Sequence, residues 1–489
     1  MNLPKVISTE QSRKSDLYTI ENEPISSIDL MERAVATYLS ELLEHIQKKD
    51  SIVVVCGCGN NGGDGFDLAK TLIDMGFNTT VYLVKYGDLT EDAEINFNHL
   101  EDVRVYEADG LAMLNEYDVI VDALFGSGIN RIVDGEIANW IDAINVSQAK
   151  KFSIDLPSGL FADSFNEKGA KVNADFTFTF QRPKRSFFDQ RSTAYVGEWM
   201  VLDIGLDENY IQNLDGSFYH INEEIETLIK NRFKHSHKGT YGKGLLIGGS
   251  AGIMGAAVLS GEACLRSGIG LLSIMTPSRG EQVIQSSLPE ALWIDGGNKD
   301  YNTILPDLKP YSAVAIGPGI STNADVKGLM QKVLKQSSQP LVIDADAINI
   351  IAEEETMKEM IPEGSILTPH PKEFSRLVGS FNNDEEKWQK QVEFSKRYKV
   401  ILLVKGAYTS ISDPEGNIYW NSNGNPGMAK GGSGDVLTGM ILSLLAQGYS
   451  NIEATVFACY QHGKAGDIAK SLKGEHQMLS RDIIASITF

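Results

Sequence analysis

Strands that end in a glycine-rich or polar turn alternate with helices along this chain. In the first half, strands are predicted at 51–56, 117–124 and 151–156, and each is followed by such a turn. This alternation indicates a mostly parallel sheet that is covered on both faces. Ligands of such sheets bind beyond the carboxyl ends of the strands. The chain is therefore predicted to be an α/β protein with its sites at the strand ends.

The other predicted elements form two series with a break between them. The pattern becomes polar and charged between residues 206 and 234, and 489 residues are too many for a single core. We therefore expect two domains, 1–215 and 233–489, joined by a linker over 216–232. Helices are predicted at 27–48, 66–75, 255–267 and 434–446, and further strands at 79–84, 176–180, 199–204, 244–247, 271–275, 313–316, 340–343, 365–368 and 400–405.

Charge and cysteine usage exclude several classes of partner. The formal net charge of −21 opposes binding to nucleic acid and to anionic membranes, which are polyanions. Of the four cysteines, Cys56 and Cys58 indicate small residues in a tight turn rather than a redox pair, and the set fits no disulfide framework. No signal peptide and no membrane span are predicted. We expect a cytoplasmic protein with no nucleic-acid or membrane partner.

Five glycines lie between residues 57 and 65, at the junction of a predicted strand and a predicted helix. Glycines allow positive φ and let a ligand approach the backbone N–H groups, and the helix N-terminus adds positive potential. Asn60, Asn61 and Asp64 add side-chain oxygens to this segment. The segment therefore suits a phosphate, with a purely structural turn as the alternative.

Two carboxylates, Asp122 and Asp155, stand at the ends of neighbouring predicted strands. Together with the loop asparagines they could hold a hard cation through oxygen ligands. One of them could instead transfer protons. The alternative for each is a cap on the loop that follows.

In the second half, the turn Gly431–Asp435 precedes an apolar helix. Consecutive N–H groups at a helix start can bind a phosphate, and Asp435 can accept a proton from a hydroxyl that attacks phosphorus. The alternative for Asp435 is an N-terminal helix cap. Other candidate contacts follow predicted strands: Gly317–Gly319, Asp344, Asp346, His370 and Lys405. His370 could be structural, and Lys405 could be a solvated strand end instead of a phosphate contact.

The segments 53–65 (VVVCGCGNNGGDG), 122–128 (DALFGSG) and 153–159 (SIDLPSG), with LMERA at 30–34, resemble the NAD(P)H-hydrate epimerase domain. The resemblance spans residues 1–215 and implies a Rossmann-like three-layer α/β/α fold. It implies that K⁺ binds Asn60, Asp122 and Ser158 and that Asp155 is the acid/base residue. Cys58 departs from the family pattern, which has Lys or Pro there. The implied contacts to the hydrated nucleotide are Gly59, Asn60, Asn61, Gly62, Gly63, Gly126, Ser127, Gly128, Ile129, Asn130, Arg131, Ile132 and Asp155.

The segments 238–244 (KGTYGKG), 248–250 (GGS), 317–319 (GPG), 367–371 (LTPHP) and 427–439 (GMAKGGSGDVLTG) resemble the ADP- or ATP-dependent NAD(P)H-hydrate dehydratase. This family has a ribokinase-like α/β fold. Lys372 departs from it, at a position where a small residue is frequent. The resemblance implies that Ala256, Gly319, His370 and Asp435 contact the hydrated cofactor, and that Lys405, Gly406, Ala407, Tyr408, Thr409 and Gly434 contact the adenine nucleotide.

The order of the two resemblances matches the fused bacterial form of this repair enzyme. It implies an isomerase that interconverts the R and S epimers of hydrated NADH or NADPH. It also implies a lyase that dehydrates the S epimer with ADP, releasing AMP and phosphate, with Asp435 as catalytic residue. ADP is the expected donor, with ATP as the alternative and Mg²⁺ as a helper. We further expect a homo-oligomer.

Two alternatives belong to other classes of function. One is a ribokinase-like small-molecule kinase with a binding-only N-terminal domain. The other is an NAD dehydrogenase, which the lack of an obvious acidic residue at the expected spacing after the glycine-rich segment disfavours.

Overall fold

The computed structural model describes residues 1, 3–100 and 114–489, and the chain divides into two compact units. The first unit is Pro4–Gly216, and the second is Ser217–Phe489 together with Met1 and Leu3. Each contains a largely parallel sheet flanked by helices, so the predicted α/β class is confirmed. Across the described ranges, no helix is both long and apolar enough to cross a membrane.

The first unit is built on a six-stranded sheet in the order β2-β1-β3-β4-β5-β6, and every neighbouring pair is parallel. Its core lies on both sheet faces, because Val54 and Cys56 of β1 enter one apolar cluster and Val53 and Val55 enter another. The strands are β1 (Ser51–Cys56), β2 (Asn78–Leu83), β3 (Val119–Ala123), β4 (Lys150–Ile154), β5 (Phe176–Phe180) and β6 (Glu198–Leu202), and the helices are α1 (Thr9–Asn22), α2 (Ser27–Leu43), α3 (Asn60–Asp74), α4 (Glu91–Asn98), α5 (Gly135–Val146), α6 (Thr193–Val196) and α7 (Glu208–Asn213).

The sequence pattern did not predict helix α1. It begins with a capping box, in which the Ser8 side chain accepts a hydrogen bond from the Gln11 N–H and the Gln11 side chain accepts one from the Ser8 N–H. The helix carries no continuous apolar stripe, so hydropathy gave no signal. Contacts with other parts of the unit hold it instead, including the stacked rings of Tyr18 and Tyr210, whose centroids are 4.1 Å apart.

The glycine-rich segment 57–65 differs from the prediction, because its glycines do not provide positive φ. Helix α3 already starts at Asn60, so three of the five glycines lie inside its first turns, and none of the five has positive φ. A Cβ on Gly65 would lie 2.6 Å from Cβ of Ala123 and 2.7 Å from Sγ of Cys56. Gly65 therefore allows the helix to pack closely against the sheet, which is a different reason from backbone freedom.

The second unit holds a ten-stranded sheet in the order β10-β9-β8-β11-β12-β13-β14-β15-β16-β7. Its strands from β10 to β14 are mutually parallel, β15 is antiparallel to both neighbours, and β7 is parallel to β16. The strands are β7 (Phe218–Ile221), β8 (Lys243–Ile247), β9 (Leu271–Thr276), β10 (Leu292–Asp295), β11 (Ala313–Ile316), β12 (Leu341–Ile343), β13 (Ile366–Leu367), β14 (Ile401–Val404), β15 (Thr409–Ser412) and β16 (Ile418–Asn421).

Apolar clusters cover both faces of the second sheet, since Leu246 of β8 belongs to one cluster and Leu245 and Ile247 belong to the other. The helices are α8 (Met254–Arg266), α9 (Glu281–Ser287), α10 (Ala324–Gln336), α11 (Asp346–Glu353), α12 (Glu355–Lys358), α13 (Pro371–Val378), α14 (Asp384–Tyr398), α15 (Ser433–Ala446), α16 (Asn451–Lys473) and α17 (Ser480–Ala485).

Part of the segment expected to be a linker belongs to this second sheet. Residues 218–221 form β7, and the rings of Phe218 and Trp420 stack with centroids 5.2 Å apart. The polar character of 216–232 suggested a linker, but an edge strand needs only one paired side and tolerates polar neighbours.

Strand order reverses once in each parallel region. In the first sheet β1 lies between β2 and β3, and in the second sheet β8 lies between β9 and β11. Adjacent strands whose connections run to opposite faces leave a crevice at their carboxyl ends. The fold therefore places the turns after β1 and β3, and those after β8 and β11, at the two expected ligand crevices.

Candidate active sites

A cavity of about 760 Å³ lies at the carboxyl ends of the strands of the first sheet. Residues that follow each of the six strands contribute to its wall, as the fold predicts. The predicted contacts that line it are Gly59, Asn60, Asn61, Gly126, Ser127, Gly128, Ile129, Asn130, Arg131 and Asp155.

Four other residues named from the sequence do not line this cavity. Gly62 and Gly63 are buried in the first turns of α3, and Ile132 is half exposed outside the cavity. Cys58 is buried, with its thiol directed to the carbonyl oxygens of Val84 and Gly87. The departure at Cys58 from the family pattern is therefore accommodated in the core.

Asp155 is buried and held in an unusual backbone conformation, with φ of +63°. Its Oδ1 atom accepts hydrogen bonds from Thr179 Oγ1 at 3.1 Å and from the Phe180 N–H at 3.0 Å, and lies 2.7 Å from Lys184 Nζ. Its Oδ2 atom has no hydrogen-bond partner among the described residues. One carboxylate oxygen is thus anchored, and the other is available to a ligand in the cavity. Strain at a residue so tightly fixed is typical of functional sites.

Asp122 and Ser158 lie together in the interior beside the cavity. The Ser158 hydroxyl donates to Asp122 Oδ1 at 2.5 Å, and the Ser158 N–H and the Ser153 hydroxyl donate to Oδ2 at 2.8 and 2.9 Å. The Ser158 hydroxyl oxygen also lies 3.2 Å from the carbonyl oxygen of Phe125. Burial raises the pKa of Asp122, and hydrogen bonds from Ser158 and Ser153 oppose that shift.

The structure also brings three residues to this cavity that the sequence analysis did not assign to it. Asp16 comes from α1, Asp64 from α3 and Lys184 from the segment after β5. Burial raises the pKa of Asp64 well above its ordinary value, and the charge of Asp155 adds to the effect. Asp64 is predicted from the sequence only as a source of side-chain oxygen in the segment 57–65. Lys184 follows a strand, so its position was the one signal that could have revealed it.

In the second unit, Asp435 lies in the first turn of α15. The cap of that helix is Gly432, with φ of +96°, and no side chain caps it. The alternative of Asp435 as a helix cap is therefore wrong. Burial raises the pKa of Asp435 to about 7, the charges of Asp344 and Asp346 add to the rise, and Lys405 opposes it.

Lys405 and Asp344 form a buried pair beside this helix start. Lys405 Nζ lies 2.7 Å from Asp344 Oδ1, and the Thr438 hydroxyl donates to Asp344 Oδ2 at 2.6 Å. A Cβ on Gly434 would lie 3.0 Å from Lys405 Nζ. The ammonium group therefore sits against the glycine turn, so the alternative of Lys405 as a solvated strand end is wrong.

The remaining predicted contacts occupy neighbouring strand ends. A Cβ on Gly319, after β11, would lie 3.1 Å from Cβ of Ala256 on α8. Residues 405–408 form the turn between β14 and β15, and Thr409 begins β15. The Lys405 N–H donates to the carbonyl oxygen of Pro369, which precedes His370. The structure thus joins the turns after β13 and β14.

His370 has a structural role at the start of α13. Its Nδ1 atom accepts hydrogen bonds from the Lys372 and Glu373 N–H groups, and Glu373 Oε2 accepts one from the His370 N–H. The His370 side chain is 46% exposed. Contact between His370 and a ligand therefore stays a prediction. The sequence analysis also missed His462 of α16, whose Nε2 lies 3.3 Å from the Ser433 hydroxyl. Burial lowers its pKa to about 4, and Lys405 adds to this shift.

Comparison with known proteins agrees with this two-site arrangement. The family model described as NAD(P)H-hydrate dehydratase matches residues 244–488, and the YjeF-related protein N-terminus matches residues 27–186. The bifunctional NAD(P)H-hydrate repair enzyme Nnr of Moorella thermoacetica is 33% identical over 94% of this chain and 91% of its own length. That of Dictyoglomus turgidum is also 33% identical, over 98% and 97%.

The chain belongs to the bifunctional NAD(P)H-hydrate repair enzyme family. The predicted resemblance is therefore confirmed, and membership supports a repair enzyme over a small-molecule kinase with a binding-only domain. An ADP/ATP-dependent NAD(P)H-hydrate dehydratase from Bacillus subtilis, co-crystallised with ATP/Mg²⁺, is 31% identical and covers 54% of this chain and 94% of its own, with a TM-score of 0.47.

Proposed function

We propose that the first unit interconverts the R and S epimers of hydrated NADH and NADPH, and that the second dehydrates the S epimer. Asp155 carries the proposal for the first unit, because it lines the same cavity as the predicted nucleotide contacts and is anchored there through Oδ1. Asp155 accepts or returns the hydroxyl proton, while Asn61 and residues 126–131 hold the nucleotide. Residues 1–215 and 233–489 are the proposed epimerase and dehydratase domains.

The second unit activates the hydroxyl group before removing it, because direct loss of hydroxide is difficult at neutral pH. The oxygen of the 6-hydroxyl group attacks the terminal phosphorus of ADP while Asp435 takes the hydroxyl proton, and AMP leaves. Loss of phosphate, together with a proton from the adjacent ring carbon, then restores the reduced ring. The N–H groups at the start of α15 stabilise the transferred phosphoryl group, and Lys405 adds a positive charge beside them.

Ala256, Gly319 and His370 are the proposed contacts of the hydrated ring in the second unit. Residues 405–409 and Gly434 are those of the adenine nucleotide. ADP is the proposed donor, with ATP as the alternative, and Mg²⁺ would neutralise phosphate charge.

The residues proposed to hold K⁺ fit a hard cation. Asp122 Oδ1, the Ser158 hydroxyl and the Phe125 carbonyl form a cluster of oxygen atoms around a buried carboxylate, and no ion pair to Asp122 is found in the described ranges. With Asn60 at the cavity wall, these residues would bind K⁺, which would supply positive charge near the nucleotide.

A time course on mixed epimers of hydrated NADH tests the proposal. With ADP and K⁺, absorbance at 340 nm should recover fully, in a fast phase for the S epimer and a slower one for the R epimer. Without ADP no recovery is expected. Replacement of K⁺ by Li⁺ should slow only the second phase. Accumulation of a stable phosphorylated product would favour the kinase alternative.

We also propose a cytoplasmic location, which the four free and buried cysteine thiols support. Homo-oligomerisation stays a prediction, and light scattering coupled to size-exclusion chromatography would test it.

A further inference from the structure

One face of α1 forms a wall of the cavity in the first unit. Ser12, Arg13, Asp16, Leu17 and Ile20 all line the cavity, and their spacing places them on one side of the helix. The helix is held in place by specific contacts. The Thr9 N–H donates to Asp163 Oδ1 at 3.0 Å, and the Asp207 N–H donates to the Thr19 hydroxyl at 3.1 Å. Asp16 is therefore presented to the site by a fixed element.

Asp16 and Asp155 meet the same cavity in opposite environments. Asp155 has three donors on one oxygen, among them the ammonium of Lys184. Asp16 accepts no hydrogen bond from the described residues. Burial raises the pKa of Asp16 to about 6; Lys184 opposes the rise and the negative charge of Asp155 adds to it. Two carboxyl groups that line one cavity, one held by three donors and the other by none among the described residues, are typical of a base and an acid.

The proposed epimerisation needs both kinds of group. The hydrated ring carries its hydroxyl on a carbon bonded to the ring nitrogen, and inversion there conserves the total number of protons. A base can take the hydroxyl proton while the carbon–nitrogen bond breaks and its electron pair goes to nitrogen. The nitrogen then needs a proton from an acid, and the carbon becomes an aldehyde. Closure on the other face reverses both transfers. If both transfers occur together, Asp155 as the base requires a second group as the acid.

We propose that Asp16 is the second proton-transferring residue of the N-terminal site, giving a proton to the ring nitrogen as Asp155 takes one from the hydroxyl group. This inference rests on the proposed epimerase function. The other charged residues that line the cavity are Arg13 of the same helix, Asp64 of α3, Arg131 after β3, Asp155 after β4 and Lys184 after β5.

Variants of the full chain test this role, with R-to-S conversion followed without ADP by chromatographic separation of the two epimers, so that the dehydratase unit does not limit the rate. Asp16→Asn should lower R-epimer turnover about 100-fold, the lower range for a lost acid or base, and leave S-epimer dehydration unchanged. Asp16→Glu should keep part of the rate. Glu21→Gln removes the same charge from an exposed position of α1 and should change neither rate.

The pH profile distinguishes an acid from a structural side chain. Because Asp16 must hold its proton, R-epimer turnover by the unaltered chain should fall as pH rises through about 6, and Asp16→Asn should abolish this limb. R-epimer turnover within threefold of normal in Asp16→Asn, or an unchanged alkaline limb, would overturn the inference. If the unaltered chain dehydrates the S epimer but never consumes the R epimer, the proposed epimerase function fails, and this inference fails with it.

Discussion

Lys405 Nζ lies 2.7 Å from Oδ1 of Asp344, and this pair joins the ends of β12 and β14 beneath the glycine turn of α15. Asp344 is 2% exposed and Lys405 22% exposed at the side chain, so the pair is well shielded from water. Thr438 of α15 donates to the other oxygen of Asp344. A single carboxylate thus contacts both the Lys405 ammonium, which is proposed to bind the adenine nucleotide, and the helix whose N-terminus is proposed to bind the phosphate.

Asp344→Asn should strongly impair dehydration of the S epimer. The variant leaves the Lys405 ammonium without its anionic partner, and removing one member of a buried pair is costly. We expect at least a tenfold lower kcat/KM for ADP, measured at 340 nm, with R-to-S conversion in the first unit unchanged. Glu363→Gln is the matched control, because it breaks the Lys399–Glu363 ion pair, which has a similar N–O distance but side chains that are more than 60% exposed. Equal losses in both variants would contradict the prediction.

The rate of S-epimer dehydration should rise with pH around neutrality. The proposed base is the charged form of Asp435, and burial raises the pKa of Asp435 to about 7. The active form is therefore scarce below pH 6 and predominates above pH 8. Because the charge of Asp344 adds to this pKa, Asp344→Asn should move the midpoint to lower pH. A profile of kcat against pH that is flat between 6 and 8 would count against Asp435 as the base.

Lys184→Met should reduce R-epimer turnover by tenfold or more. The substitution removes the cation 2.7 Å from Asp155 Oδ1, so that the buried carboxylate is no longer anchored on that side. Lys184→Arg keeps the charge and should recover part of the rate. Lys70→Met breaks the Lys70–Asp74 pair on the surface of α3, also at 2.7 Å, and should have no effect. Normal turnover in Lys184→Met would show that Asp155 does not depend on this contact.

Gly65→Ala should destabilise the first unit. The added methyl group would overlap the Ala123 and Cys56 side chains, and overpacking of this kind costs about 1–3 kcal/mol, offset in part by the better helix propensity of alanine. Hydrogen exchange of peptides from β1 and α3 would measure the loss of stability in this part of the first unit. Gly87→Ala, where the space is open, is the control. Unchanged protection in Gly65→Ala would show that the contact between α3 and the sheet can relax.

Much of the site arrangement could be predicted because parallel strands bring their carboxyl ends to one edge. Asp155, Asn60 and residues 126–131 each follow a strand, and they meet at one cavity as expected. The purpose of the glycines at 57–65 could not be predicted in this way. A glycine needed for close packing and one needed for positive φ look the same in a sequence, and only the position of Ala123 distinguishes them.

The sequence by itself determined the order of the elements, the two α/β series and the motifs that mark each strand end. These features depend on local hydropathy and on turn residues, which are written in consecutive positions. The tertiary structure decided which side chains share a site. Asp16, from a helix that precedes every strand of its sheet, lines the same cavity as Asp155, and Lys405 pairs with Asp344 across 61 positions. These long-range contacts arise from packing between distant segments, and no local sequence pattern predicts them.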